Sequence, residues 1–302
     1  MQRIEIETAA GQFSVLDWNE APAGAPLLHF AHATGMHAGV YARLLAPLAK
    51  QFRIIASDAR GHGRSTAATD DRACMTWEAY AEDMLAILDS VDSERPWLLA
   101  GHSLGGTVSL LAAATWPERV AGLVMLDPPM LPFALARAAA DGEVLPNPMA
   151  EQAVRRRPSF PDMEAVRTAY RRRGVFSTWS DDDLEAYLAD GLLPQPDGTL
   201  ALACTPSWEA ATFRGGTTSV EQALATLTCP FALVAGEIRS TVPEREFAIM
   251  AAHQRCVSAD RLPGTTHFVP LERGDEVRAA LLRVSDTAAA ESTSRLRRVA
   301  TA

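Results

Sequence analysis

Five short apolar runs, each closed by a turn or polar residue, recur along the chain: "LLHFAHA" at 27–33, "FRIIASD" at 52–58, "WLLAGHS" at 97–103, "VAGLVMLD" at 120–127 and "PFALVAG" at 230–236. Runs this short and uninterrupted suit strands buried on both faces, as in a parallel sheet covered by helices. Between them, "TWEAYAEDMLAILDSV" (76–91), with Thr76 as N-cap, and "LGGTVSLLAAATW" (104–116), stopped by Pro117, have the length of helices. Strand and helix alternate, which predicts an α/β, doubly wound sheet. The N-terminal "MQRIEIETAAGQFSVLDW" alternates like a strand pair.

From Pro128 to about Glu221 the strand-like runs stop. Helical segments such as "FPDMEAVRTAYRRRG" and "SDDDLEAYLADG" follow one another, the second with Ser180 as N-cap, three acidic residues in its first turn and Gly191 as a C′ stop. The predicted organisation is a first core part at 1–127, an all-helical lid insertion at 128–221, a second core part at 222–288 and a flexible tail at 289–302, where apolar periodicity is lost.

Composition narrows the field by exclusion. The 302 residues carry 28 Lys and Arg against 37 Asp and Glu, a net charge of −9, which disfavours a nucleic-acid or anionic-membrane binder. Cys74, Cys204, Cys229 and Cys256 lie far apart and form no CxxC pair, so free thiols in a reducing cytoplasm are expected, with no zinc site and no disulfide framework. No apolar stretch reaches about 18 residues, and no apolar run follows a basic start, so neither a membrane span nor a secretory signal is expected.

Chemistry enters with "WLLAGHSLGGTVSLLAAA". A buried strand runs into Gly-x-Ser-x-Gly, and a helix follows at once. Gly101 and Gly105 let the chain reverse sharply, which leaves Ser103 exposed on a strained corner as a candidate nucleophile. The backbone N–H of Leu104, at the helix start, then points towards any anion formed on a carbonyl attacked by the serine.

With this elbow in hand, the chain resembles the α/β-hydrolase-fold serine hydrolases over about residues 10–285. "FAHATGMHAGVY" stands where that family has its His-Gly loop, with Ala33 replacing the usual Gly. "DARGHGRS" (58–65) matches the loop after the fourth strand, and "GTTHFVPLE" (264–272) resembles the segment that brings in the catalytic histidine. The resemblance implies His267 as the base and the backbone N–H of Thr34 as second oxyanion donor, with Ala33 the neighbouring possibility. His32 is expected to order the oxyanion loop, and His62 and His102 to be held within their turns.

The family's commonest position for the acid, three residues beyond Gly236, holds Arg239, a permanent cation that cannot serve. Three explanations compete. Asp127 ends the run "LVMLD", is followed by two prolines, and occupies the strand end where the resemblance puts the acid of some members. Glu237 lies two residues before the expected position but points the wrong way by the strand's alternation. In the third, no acid operates. Asp127 leads.

The resulting expectation is a cofactor-independent, metal-free serine hydrolase that cleaves a carboxylic ester of a small or medium substrate through an acyl-enzyme. Thioesterase, carbon–carbon bond hydrolase and perhydrolase readings share the machinery. The reading from another class is a non-catalytic small-molecule-binding protein, with Arg239 the one feature in its favour. Phe176, Trp179, Trp208 and Phe213 are expected as lid core rather than walls of an acyl pocket. Arg155–Arg157 and Arg171–Arg173 are expected as solvated faces near helix ends rather than an anion site.

Overall fold

The computed structural model describes residues 1–73 and 75–300, with side chains described through Ser294. Its centre is an eight-stranded sheet. The strands are β1 (Gln2–Thr8), β2 (Gly11–Trp18), β3 (Leu27–Ala31), β4 (Arg53–Ser57), β5 (Trp97–His102), β6 (Val120–Leu126), β10 (Phe231–Ile238) and β11 (Cys256–Thr266), while β7 (Ser159–Phe160), β8 (Leu192–Pro194) and β9 (Leu200–Leu202) lie outside it. The order across the sheet is β1-β2-β4-β3-β5-β6-β10-β11. The N-terminal pair is antiparallel, as the alternation predicted, and β2 meets β4 antiparallel; every later pairing is parallel.

Successive apolar residues of the central strands point to opposite faces, so each run feeds two cores. Leu27, Ile55, Leu99 and Leu123 pack on one face beneath helices Trp77–Val91 and Leu104–Thr115. Leu28, Ile54, Leu98 and Val124 pack on the other, under Leu44, Leu45 and the C-terminal helix Gly274–Ala300. Thr76 occupies the N-cap position of the first helix, without a side-chain capping bond.

β11 had no counterpart among the apolar runs. It is an edge strand, mostly half-exposed, and it carries Asp260, Arg261 and Pro263, so no apolar face of its own announces it.

The inserted segment between β6 and β10 departs from the all-helical expectation. Besides helices Phe133–Ala140, Pro148–Val154, Met163–Tyr170, Asp181–Gly191 and Pro206–Gly215, it holds a small antiparallel sheet in the order β7 (Ser159–Phe160), β9 (Leu200–Leu202), β8 (Leu192–Pro194). Strands of two or three residues are too short to display a period. The turn between β8 and β9 does carry a hairpin signal, Asp197–Gly198, with Gly198 at φ +85° and Asp197 accepting the Thr199 N–H. The Ser180 capping box forms with Asp183, whereas Gly191 is the last helical residue rather than a left-handed C′ cap.

Residues 289–294, expected as flexible tail, continue the C-terminal helix, and Glu291 pairs with Arg255 at 2.6 Å. The run Ala288–Ala290 favours helix, and no Gly or Pro interrupts it. The rest of that expectation lies outside the residues whose side chains are described, as does the one concerning Cys74. Cys204 and Cys229 are buried free thiols and Cys256 is a half-buried one. Among the described residues, no helix is long and apolar enough to cross a membrane.

Candidate active site

Parallel strands deliver their C-terminal ends to one edge, and the residues singled out above stand at those ends: Ser103 after β5, Asp127 after β6, the 236–241 segment where β10 ends, and His267 after β11. Ser103 adopts φ +54°, ψ −125°, a left-handed conformation that a serine adopts only when the fold enforces it. Gly101 and Gly105 make the corner feasible. A Cβ on Gly101 would overlap the Gly105 backbone, and one on Gly105 would overlap the Ala31 carbonyl. Gly105→Ala should therefore cost about 1–3 kcal/mol by overpacking, read as a lowered denaturant midpoint. An unchanged midpoint would mean that the helix and β3 are not packed this closely.

Asp127 is fully buried, and its carboxylate is saturated with donors. Oδ1 accepts the Gly236 N–H (2.8 Å) and the Ser240 hydroxyl (2.6 Å). Oδ2 accepts the Thr241 N–H (2.9 Å) and His267 Nδ1–H (2.6 Å). Burial alone pushes this carboxyl up; the His267 hydrogen bond and charge, with Ser240 and Thr241, outweigh it and hold Asp127 below the ordinary carboxylate value. The loop "GEIRST" thus has a use other than carrying the acid: its Gly236, Ser240 and Thr241 receive one. Arg239 sits exposed at φ +54° in that loop. Glu237 is exposed and accepts the Gly264 N–H (2.8 Å), away from the histidine's Nδ1.

Because His267 Nδ1–H donates to Asp127, the neutral imidazole keeps its lone pair on Nε2, the state a general base requires. Among the described residues no hydrogen bond joins that ring to the Ser103 hydroxyl; such contacts are often long until substrate binds. His267 is 20 % exposed at its side chain, and Ser103 is buried to 9 %.

Two N–H groups remain for an oxyanion. Leu104 opens its helix and has no intrahelical acceptor. In the loop after β3 the Ala33 N–H is already bonded to the Tyr41 hydroxyl (3.2 Å), which leaves that of half-buried Thr34. His32 orders this loop: Nδ1–H donates to the Ala33 carbonyl and Nε2 accepts the Ala59 N–H, both at 2.8 Å. His62 stays within its turn, on the Arg60 carbonyl (2.9 Å). His102 does not: Tyr41 lies on one ring nitrogen and the His267 carbonyl on the other. Sequence reasoning missed Tyr41, Ser240 and Thr241, since each acts on a partner more than fifty residues away; the one available signal was the run of hydroxyl residues after β10.

The inserted segment touches the loops at this edge. Its aromatic cluster, Tyr170, Phe176, Trp179 and Tyr187, reaches Phe268 beside the histidine through Trp179 (ring centroids 5.3 Å). Phe176, Trp179 and Trp208 are buried, and Phe213 packs on Ala150, Ala153 and Ala210. The arginine runs divide: Arg171 pairs with Asp181 near the surface (3.2 Å), but Arg156 turns inward to Glu209 (2.5 Å), against Gly35 of the oxyanion loop.

Comparison with known proteins finds relatives over most of the chain and solved structures of the same fold. A 2-(acetamidomethylene)succinate hydrolase of Mesorhizobium japonicum is 28% identical over 246 residues, 81% of this chain and 82% of that one. A pimeloyl-[acyl-carrier protein] methyl ester esterase of Edwardsiella ictaluri is 27% identical over 279 residues, 90% of this chain and 98% of that one. The crystal structure of E-2-(acetamidomethylene)succinate hydrolase superposes with a TM-score of 0.70 at 22% identity, covering 94% of this chain and 99% of that one. Residues 26–273 match the family described as alpha/beta hydrolase fold, and with a match of that length the chain belongs to that family.

Proposed function

We propose that this hydrolase cleaves a carboxylic ester of a small or medium substrate through an acyl-enzyme, with Ser103 as nucleophile, His267 as base and Asp127 as its partner. The observation that carries the reading is the 2.6 Å bond from His267 Nδ1 to a buried, donor-saturated Asp127 on the edge where Ser103 stands strained. As Ser103 Oγ attacks the ester carbonyl, its proton passes to His267 Nε2. The negative charge gathers on the carbonyl oxygen, between the N–H groups of Leu104 and Thr34, while Asp127 stabilises the imidazolium. His267 then protonates the leaving alkoxide. Water, deprotonated by the same nitrogen, attacks the acyl-enzyme and releases the carboxylic acid.

The inserted segment serves as a lid whose aromatic core braces Phe268. An ester is favoured because one relative that spans nearly the whole chain is named as a methyl ester esterase.

Intact-mass analysis after treatment with a fluorophosphonate tests the reading, with p-nitrophenyl esters as turnover probes. The expected result is one adduct, located at Ser103 and absent from Ser103→Ala, together with ester turnover. A wild type that stays unlabelled and inert to every ester would overturn it in favour of a binding protein.

A further inference from the structure

His102, the residue before the serine, is fully buried, as is Tyr41 of the short turn Ala38–Tyr41 that follows the oxyanion loop. Three contacts link them to both halves of the site. His102 Nε2 is 2.8 Å from the His267 carbonyl oxygen. His102 Nδ1 is 2.7 Å from the Tyr41 hydroxyl. The Tyr41 oxygen in turn lies 3.2 Å from the Ala33 nitrogen.

The direction of each bond follows from what the groups can do. A carbonyl only accepts, so His102 Nε2 bears the hydrogen. Burial, then the nearby His267 charge, lowers this imidazole to about 3, so it is neutral and Nδ1 is a bare acceptor. The Tyr41 hydroxyl must then donate to it. The Met36 sulfur, 3.3 Å from the same hydroxyl, is the weaker acceptor for that single hydrogen. With its hydrogen spent, the Tyr41 oxygen is free to accept from the Ala33 N–H. The chain runs one way, from Ala33 N–H to Tyr41 O–H to His102 Nδ1, and from His102 Nε2–H to the His267 carbonyl.

We infer that Tyr41 and His102 are positioning residues that tie the oxyanion loop to the backbone of His267 and leave Thr34, not Ala33, with the free loop N–H. The inference rests on the serine-hydrolase reading for its effect on rate, and on geometry alone for the chain. Both side chains are fully buried. Their effect is to make the distance from base to oxyanion donor a single fixed quantity, threaded past the residue next to the nucleophile.

The test is the rate of fluorophosphonate labelling in wild type, Tyr41→Phe, His102→Leu, the double variant and His102→Gln, beside 15N spectra of labelled histidine. Phenylalanine removes the bond to Ala33 and leaves His102 Nδ1 unpaired. Labelling should slow roughly 10- to 100-fold, the scale of a misplaced catalytic group. His102→Leu should slow it similarly, and the double variant no further, since the residues act as one chain. His102→Gln keeps one donor and one acceptor and should recover much of the rate.

The spectrum of the wild type should show His102 as the neutral Nε2–H tautomer, with Nδ1 shifting in Tyr41→Phe. Wild-type labelling rates in Tyr41→Phe, or losses that multiply in the double variant, would overturn the inference. Should Tyr41→Phe fail to fold, His102→Gln and the wild-type spectrum decide: slow labelling of the former or a protonated Nδ1 in the latter sinks it. If the wild type itself does not label, the nucleophile reading falls instead, and the chain stands or falls on the tautomer.

Discussion

Asp127→Asn should lower kcat by about 10³- to 10⁴-fold, the loss that follows when an amide replaces a triad carboxylate. The geometry explains why neither orientation of the amide rescues it. With the NH₂ at the Oδ2 position, it faces His267 Nδ1 and the Thr241 N–H, so the imidazole must present a lone pair there and carry its proton on Nε2, where it cannot act as base. With the NH₂ at the Oδ1 position, it opposes the Gly236 N–H, and the neutral oxygen left for His267 gives the imidazolium little support. Either way two N–H groups confront each other in a buried site, so stability should also fall, by about 1–3 kcal/mol. Glu237→Gln is the contrasting variant. Its carboxylate is exposed and bonded to the Gly264 N–H, an interaction that a glutamine oxygen keeps, so kcat should change less than about twofold. Steady-state kinetics on both variants checks the pair. A crippled Glu237→Gln beside a mild Asp127→Asn would reverse the assignment.

Acid should unfold the protein well above the range where carboxylates titrate. His29, His32, His62 and His102 are nearly inaccessible to water, and burial, the largest cause in each, lowers them to about 3, 4, 3 and 3. In the unfolded chain each returns to about 6.5. Between those values the unfolded state binds the proton and the folded state does not, so stability rises with pH and is lost as pH falls below about 6.5. Each histidine contributes about 1.4 kcal/mol per pH unit, and four together about 5 kcal/mol per unit. Against a total stability of about 5–15 kcal/mol, that slope should bring unfolding near pH 5. Urea melts across the range measure it directly. His29→Gln, which removes one such group away from the site, should make the slope shallower by about 1.4 kcal/mol per unit. A stability that stayed level from neutral pH down to pH 5 would show that these imidazoles are not held neutral as their burial requires.

Much of this architecture was legible in the chain because it is written in local terms. The five apolar runs are strands because each is buried on both faces, and a residue's own apolarity records that. Ser103 could be found without a fold, since Gly101, Gly105, the strand before and the helix after are all neighbours in sequence. Where the signal was weak, the element drew its stability from elsewhere. β11 is an edge strand held by backbone pairing to β10, and β7, β8 and β9 are too short to show a period. Residues 289–294 continue a helix in which a cross-chain pair between Arg255 and Glu291 joins local propensity.

The acid marks the boundary most clearly. The chain alone excludes Arg239, because a guanidinium cannot accept a proton at working pH, and it ranks Asp127 ahead of Glu237 by strand position and side-chain direction without showing the contact that decides. The choice depends on where His267 arrives, 140 residues after Asp127, and on the loop around Gly236, Ser240 and Thr241 closing on one carboxylate rather than the other. The same holds for Tyr41, whose hydroxyl is an ordinary core phenol until the loop after β3 and the end of β5 bring Ala33 and His102 to it. Composition and spacing fix which groups are present and what each can donate or accept. Which of them share a hydrogen bond is a property of distances through space, and those exist only once β3, β5, β6, β10 and β11 have brought their ends to one edge.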